Sequence, residues 1–218
     1  PEAERRRPGR RRGLLMAAGP AGRLRTEILI SGFGGQGVIR MGQIIGLCAI
    51  RQGYRVTMLK SHGTETRGGY VRAQLVLSPS DVDSPVVENA DVFVAFSAPA
   101  YRKFYDLCRG LILYDPELVT EVRDEAPERH RAVPATQLSK EHFGKELFAN
   151  MIMLGALVRV AGLDPATMRA TLLRVLPRFH EQNLAYDEIG EAVGRPVGTV
   201  KTWLHRARAE LAEHLIRR

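Results

Sequence analysis

Six residues, Gly32-Phe33-Gly34-Gly35-Gln36-Gly37, stand between a short apolar run and a long apolar helical period. The run is Ile28, Leu29 and Ile30; the period is Val38, Ile39, Met41, Ile44, Ile45 and Leu47. Strand, glycine loop and helix in that order turn free backbone N–H groups toward a phosphate at a helix N-terminus. The spacing also spells G-x-G-x-x-G. Three readings are open: a dinucleotide site, a glycine turn that lets strand and helix pack closely, or a phosphate-bearing ligand or partner surface of another kind. The dinucleotide reading expects an acidic residue about 20 positions on, where it would bind the ribose hydroxyls. Here the second strand, Arg55 to Lys60, runs into Ser61 and His62, and no Asp or Glu lies between Gln36 and Thr64. That argues against NAD.

A second cluster, Ser61-His62-Gly63-Thr64-Glu65-Thr66-Arg67-Gly68-Gly69, separates two strand patterns. The following strand alternates Val71, Ala73, Leu75 and Leu77 with Arg72, Gln74 and Val76. Glu65 and Arg67 beside three glycines make a loop that is costly to order without a binding partner. A solvated hairpin loop with a weak ion pair is the plainer alternative.

Taken together, residues 27–183 resemble the gamma subunit, or gamma domain, of 2-oxoacid:ferredoxin oxidoreductases, the pyruvate, 2-oxoglutarate and ketoisovalerate group. The matching pieces are SGFGGQGV at 31–38, SHGTETRGG at 61–69, Asp-Val-Phe-Val-Ala-Phe-Ser at 91–97, Leu-Tyr-Asp at 113–115 and Ala-Asn-Met-Ile-Met-Leu-Gly at 149–155. The resemblance implies a complex that decarboxylates a 2-oxoacid on thiamine diphosphate with Mg, passes electrons through iron–sulfur clusters to ferredoxin, and releases an acyl-CoA. It implies that the gamma part lies on the coenzyme A side and works only with the other subunits. It places Gly32, Phe33, Gly34, Gly35, Gln36 and Gly37 near coenzyme A or a subunit interface. Ser61, Gly63, Glu65, Arg67, Gly68 and Gly69 would shape the adjoining loop. Asn150, which could cap its helix, would instead sit near the active-site interface.

Composition agrees with that division of labour. The chain has two cysteines, Cys48 and Cys108, far apart. An iron–sulfur cubane takes four thiolates, so no cluster is expected on this chain alone. No Gly-Asp-Gly thiamine motif is present, and no cofactor or metal is expected on the chain by itself. Two cysteines do not make a disulfide framework, and no apolar run approaches 18 residues. A cytoplasmic protein without a membrane span is expected.

The net charge of +8 belongs to the ends. Residues 1–25 hold eight Arg and two Glu, a net +6; residues 195–218 carry +4; the residues between carry −2. A nearly neutral body tells against nucleic-acid binding by the body. The Arg-, Gly- and Pro-rich arm 1–25 reads as disordered. Met16 lies just upstream of the first strand, and the first 15 residues read as translated upstream sequence or an expression remnant.

The body, 26–183, reads as a three-layer α/β/α fold with a mixed sheet. Strand 55–60 and strand 70–77 are joined by too short a loop for a crossover, so they are expected antiparallel. Asp91–Ser97 reads as a buried strand, Pro99–Cys108 as a short helix and Leu111–Tyr114 as a strand. Residues 119–130 read as irregular and 132–135 as an edge strand. Helices are expected over 136–146, over Phe148–Ala161 with Gly162 closing it, and from Pro165 to about Leu176 with Asp164 as cap.

After Asn183 the resemblance ends. Residues 184–218 resemble the helix-turn-helix of sigma factor region 4, a short C-terminal appendage. Thr199, Lys201, Thr202, His205, Arg206 and Arg208 would face DNA. The alternative function is therefore a DNA-binding regulator with a metabolite-sensing α/β body.

Overall fold

The computed structural model describes residues 25–62 and 70–176. The basic arm, Gly63 to Gly69 of the second loop, and the sigma-like tail with all six of its expected DNA-facing residues lie outside the described residues.

Six strands form one sheet in the order β2-β3-β1-β4-β5-β6. They are β1 (Thr26–Phe33), β2 (Arg55–His62), β3 (Tyr70–Ser78), β4 (Ala90–Ala95), β5 (Cys108–Tyr114) and β6 (His130–Ala132). β1, β4, β5 and β6 pair in parallel; β3 runs antiparallel to both β1 and β2. The sheet is mixed, as the short 62–70 connection requires.

Side chains alternate between two apolar clusters, as the two-residue period of a strand dictates. Ile28, Ile30, Ala73, Leu75, Val92 and Val94 face a layer of helices: α1 (Val38–Arg51), α4 (Ala149–Val160) and α5 (Pro165–Val175). Leu29, Val76, Phe93 and Ala95 face α2 (Ala98–Phe104) and the excursion that carries Val119. α3 (Ala135–Phe143) packs beside α4.

α1 lies close on the sheet because two glycines face it. A β-carbon at Gly42 would come within 2.6 Å of Met58 Cε and 3.0 Å of Ala73 Cβ. Asp115, just past β5, is fully buried and ties that strand to α3. Its Oδ2 accepts from the Thr136 N–H (2.7 Å) and hydroxyl (2.6 Å), and its Oδ1 from the Glu117 N–H (3.0 Å). Burial pushes its carboxyl above the ordinary range, and the Thr136 and Glu117 donors pull against that rise.

Several boundaries differ from the sequence reading. The helix expected over Pro99–Cys108 ends at Phe104, a 3₁₀ turn covers Tyr105–Leu107, and Cys108 opens β5. The edge strand is His130–Ala132, two residues earlier than expected, because its pairing with Ile112, Leu113 and Tyr114 sets its place. α3 stops at Phe143, where Gly144 adopts φ 66°, a left-handed conformation that ends the helix. Asp164 does cap α5: its Oδ2 accepts from the Thr167 N–H at 2.8 Å. Asn150 does not cap α4. It is the second residue of that helix, after Phe148 in the cap position, and no side chain caps there.

Candidate functional site

The glycine loop sits at the end of β1, beside the parallel strand β4, where successive connections part to opposite faces of the sheet. α1 leaves the end of β1 toward one face, and α2 leaves the end of the neighbouring parallel strand β4 toward the other. Such a switch point opens a crevice outside the carboxyl ends of the strands. Gln36 spans it. Its Oε1 accepts from the Phe33 N–H (2.7 Å), and its Nε2 donates to the Phe96 carbonyl after β4 (2.9 Å). The Phe96 N–H in turn donates to the Ser31 carbonyl at 2.8 Å. The Gln36 amide is thus used at both ends to set the loop's shape, a role its sequence position alone does not reveal.

The glycines divide into two kinds. Gly32 and Gly37 have no room. A β-carbon on Gly32 would collide with Gln36 Oε1 and come within 2.7 Å of Phe96 Cβ; one on Gly37 would run into the Asn150 amide. Gly37 also holds φ 77° as it starts α1, a region L side chains avoid. Gly34 and Gly35 are exposed and open. The nearest atom to a β-carbon on Gly34 is Val71 Cγ2 at 3.9 Å, and Gly35 (φ 92°) has nothing within 4 Å. Close packing explains the first pair. The second pair leaves backbone clear for something outside the described residues.

α1 begins without a side-chain cap and without an acidic residue in its first turn. The positive end of the helix dipole is therefore offset by neither a capping side chain nor a first-turn acid. The Asn150 amide sits directly over that end, against Gly37, and makes no hydrogen bond among the described residues. Two motifs 113 positions apart, with Asn150 on a different helix, thus meet at one point. The arrangement suits a ligand that is anionic or rich in acceptors.

Ser61 is exposed near the end of β2 and pairs in register with Arg72. Gly63, Glu65, Arg67, Gly68 and Gly69 lie outside the described residues. Beside Phe33 of the glycine loop lie two aromatic residues the sequence reading passed over, Tyr70 and Phe104. Phe33 stacks on Tyr70 (centroids 6.2 Å apart), and Tyr70 meets Phe104 edge-on at 6.5 Å. The aromatic type at 70 and its pairing with Phe33 across β1 and β3 are the signal that could have found Tyr70.

The sheet order disposes of the dinucleotide reading independently. In a dinucleotide fold the second strand lies beside the first, so that its terminal acid reaches the ribose. Here β3 is inserted between β1 and β2, and β2 ends in Lys60, Ser61 and His62.

Residues 27–190 match the family model described as pyruvate ferredoxin/flavodoxin oxidoreductase. The chain belongs to that family. A 2-oxoglutarate synthase subunit KorC of Archaeoglobus fulgidus is 34% identical over 182 residues, which is 83% of this chain and 94% of the relative. The gamma subunit of a keto/oxoacid ferredoxin oxidoreductase from Geobacter sulfurreducens superposes with a TM-score of 0.66 at 27% identity, covering 77% of this chain and 97% of that one. A 2-oxoglutarate:ferredoxin oxidoreductase from Magnetococcus marinus, solved with 2-oxoglutarate, coenzyme A and succinyl-CoA bound, gives a TM-score of 0.68 at 25% identity over 85% of this chain and 32% of that one. Residues 178–211 match a second model, sigma-70 region 4. The two matches overlap at 178–190.

Within this family the cysteines can be placed. Cys48 is buried in the core beneath α1, and Cys108 in the core on the opposite face. Burial raises the Cys108 thiol pKa above its ordinary value, which favours the inert thiol. Among the described residues no group of three or more His, Cys, Asp or Glu is placed to hold a metal ion. None of the described helices is long and apolar enough to cross a membrane.

Proposed function

We propose that this chain is the non-cluster, non-thiamine subunit of a 2-oxoacid:ferredoxin oxidoreductase, and that Gly32–Gly37 with Asn150 form its contribution to the coenzyme A side of the active site. The observation that carries the reading is the Asn150 amide held over the uncapped N-terminus of α1, beside the open backbone of Gly34 and Gly35. These groups bind and orient. N–H donors at the start of α1 receive acceptor groups of the ligand, Gln36 keeps the loop in register, and open glycines admit close approach. The decarboxylation on thiamine diphosphate and the electron path through clusters to ferredoxin belong to partner subunits. The two buried cysteines lie in separate cores and do not fit a cluster.

This division makes a prediction. The purified chain alone, given 2-oxoglutarate or pyruvate with coenzyme A, should reduce no ferredoxin or viologen. Turnover by a preparation free of other subunits would sink the reading. 2-Oxoglutarate is the first oxoacid to try, since the KorC relatives carry its name.

A second reading has one specific observation in its favour, the sigma-70 region 4 match over residues 178–211. A DNA-binding regulator would bind a promoter fragment with steep salt dependence. Arg206→Ala with Arg208→Ala would then flatten the salt slope by roughly one for each phosphate left unneutralised. On the subunit reading the tail is a passenger, and the intact chain leaves no sequence-specific footprint. Removal of residues 191–218, beyond the family match, then leaves assembly with partner subunits intact.

A further inference from the structure

Arg72 and Lys103 stand out among the charged groups beside the glycine loop. They come from different elements, β3 and α2, yet both hang over the same ring. The Arg72 Cζ lies 5.3 Å from the Phe104 centroid and the Lys103 Nζ 5.7 Å. Lys103 Nζ also lies 4.6 Å from the Tyr70 centroid. Ring faces attract cations through their quadrupole, by about 0.5–1 kcal/mol at exposed sites. That attraction orients the two groups without neutralising either. Among the described residues no carboxylate pairs with them; the five ion pairs use other cations. Two like charges converging on one aromatic platform, with no carboxylate paired to either among the described residues, suit an anion. Lys103 is exposed, Arg72 half-buried and Phe104 beneath them buried, so a ligand would meet the charged groups rather than the ring.

The platform is continuous with the site already described. Tyr70 stacks on Phe33 at 6.2 Å, and Phe33 is the second residue of the glycine loop. An anion held by Arg72 and Lys103 therefore lies alongside a ligand whose other groups reach Gly34, Gly35 and the start of α1. A planar guanidinium fork beside a compact ammonium suits phosphate oxygens, taken in pairs by Arg and as a point charge by Lys.

We infer that Arg72 and Lys103, presented on Tyr70 and Phe104, bind a phosphate group of the coenzyme A used at this site. The inference rests on the reading that the glycine loop faces coenzyme A. It makes the pair specificity-determining for the phosphate-bearing substrate and silent toward the 2-oxoacid.

The test uses the assembled complex carrying Arg72→Gln with Lys103→Gln, compared with wild type and with Gly35→Val. Glutamine keeps each side chain polar and part of its length, so assembly and thermal midpoint should stay near wild type. The KM for coenzyme A should rise about tenfold or more, the scale of removing a charge-assisted hydrogen bond. The turnover number and the KM for the 2-oxoacid should stay within about twofold, a split that a general loss of structure would not give. Coenzyme A without its 3′-phosphate assigns the group. If the defect vanishes with that analogue, the pair meets the 3′-phosphate; if it persists, the pair meets the diphosphate. An unchanged KM for coenzyme A in the double variant, with Gly35→Val raising it, overturns this inference and leaves the loop reading standing. If neither variant moves that KM, both fall. Failure of the folded double variant to join its partner subunits would overturn the inference in favour of a docking surface for an acidic protein segment.

Discussion

Gly110→Ala is expected to destabilise the fold severely and leave little soluble, folded protein. β4 and β5 pair Ala90 with Cys108 and then Val92 with Leu111, so Arg109 and Gly110 together oppose Asp91 alone. That extra residue is a bulge in a parallel pair. It presses Gly110 against the backbone of Asp91, where an added β-carbon would overlap the Asp91 carbonyl and lie 2.9 Å from its Cα. A backbone atom in a central strand cannot swing aside as a side chain can. Asp91 is further fixed because its Oδ2 accepts from the Glu27 N–H at 2.8 Å. The cost is roughly 3 kcal/mol or more, a large share of the 5–15 kcal/mol that holds a typical domain. Circular dichroism with thermal melting of any soluble fraction is the check. A soluble Gly110→Ala protein with a near-normal midpoint would show that the bulge is not as tight as described.

Gly37→Ala is expected to fold but with a damaged site. Its φ of 77° costs an alanine about 1–3 kcal/mol. The added methyl also drives into the Asn150 amide, which can move because it is a side chain. The melting midpoint should drop by several degrees, and coenzyme A saturation of the assembled complex should weaken by tenfold or more, since loop and amide are displaced together. Gly37→Ala with Asn150→Ala separates the causes. Removing the amide relieves the collision and recovers part of the midpoint, while the backbone strain and the binding defect remain. If Asn150→Ala by itself left coenzyme A binding untouched, the amide would be support for the loop rather than a group that touches the ligand.

The contrast between these two glycines shows what could be read from the chain. Gly37 announces itself, because strand, glycine loop and helical period are local signals and each fixes the next. Gly110 does not. Arg109-Gly110-Leu111 looks like any strand entrance, and only the register against Asp91 makes it indispensable. The hairpin of β2 and β3 follows from a connection too short for a crossover, but the insertion of β3 between β1 and β2 is a long-range choice no local pattern states. Asp164 is legible as a cap because acid, proline and helix are adjacent. Local logic also offers Asn150 as a cap, which the structure does not bear out; its neighbour Gly37 is 113 residues away. Arg72 and Lys103 each look like solvated charges, and only the fold sets them over one ring.

The account is tested most directly by isolating the full chain from its own cells through an affinity tag and assaying what comes with it. It predicts co-purifying subunits that carry thiamine diphosphate and iron–sulfur clusters, and viologen reduction that requires both a 2-oxoacid and coenzyme A. A chain that purifies without such subunits, or with RNA polymerase and bound promoter DNA in their place, would contradict it.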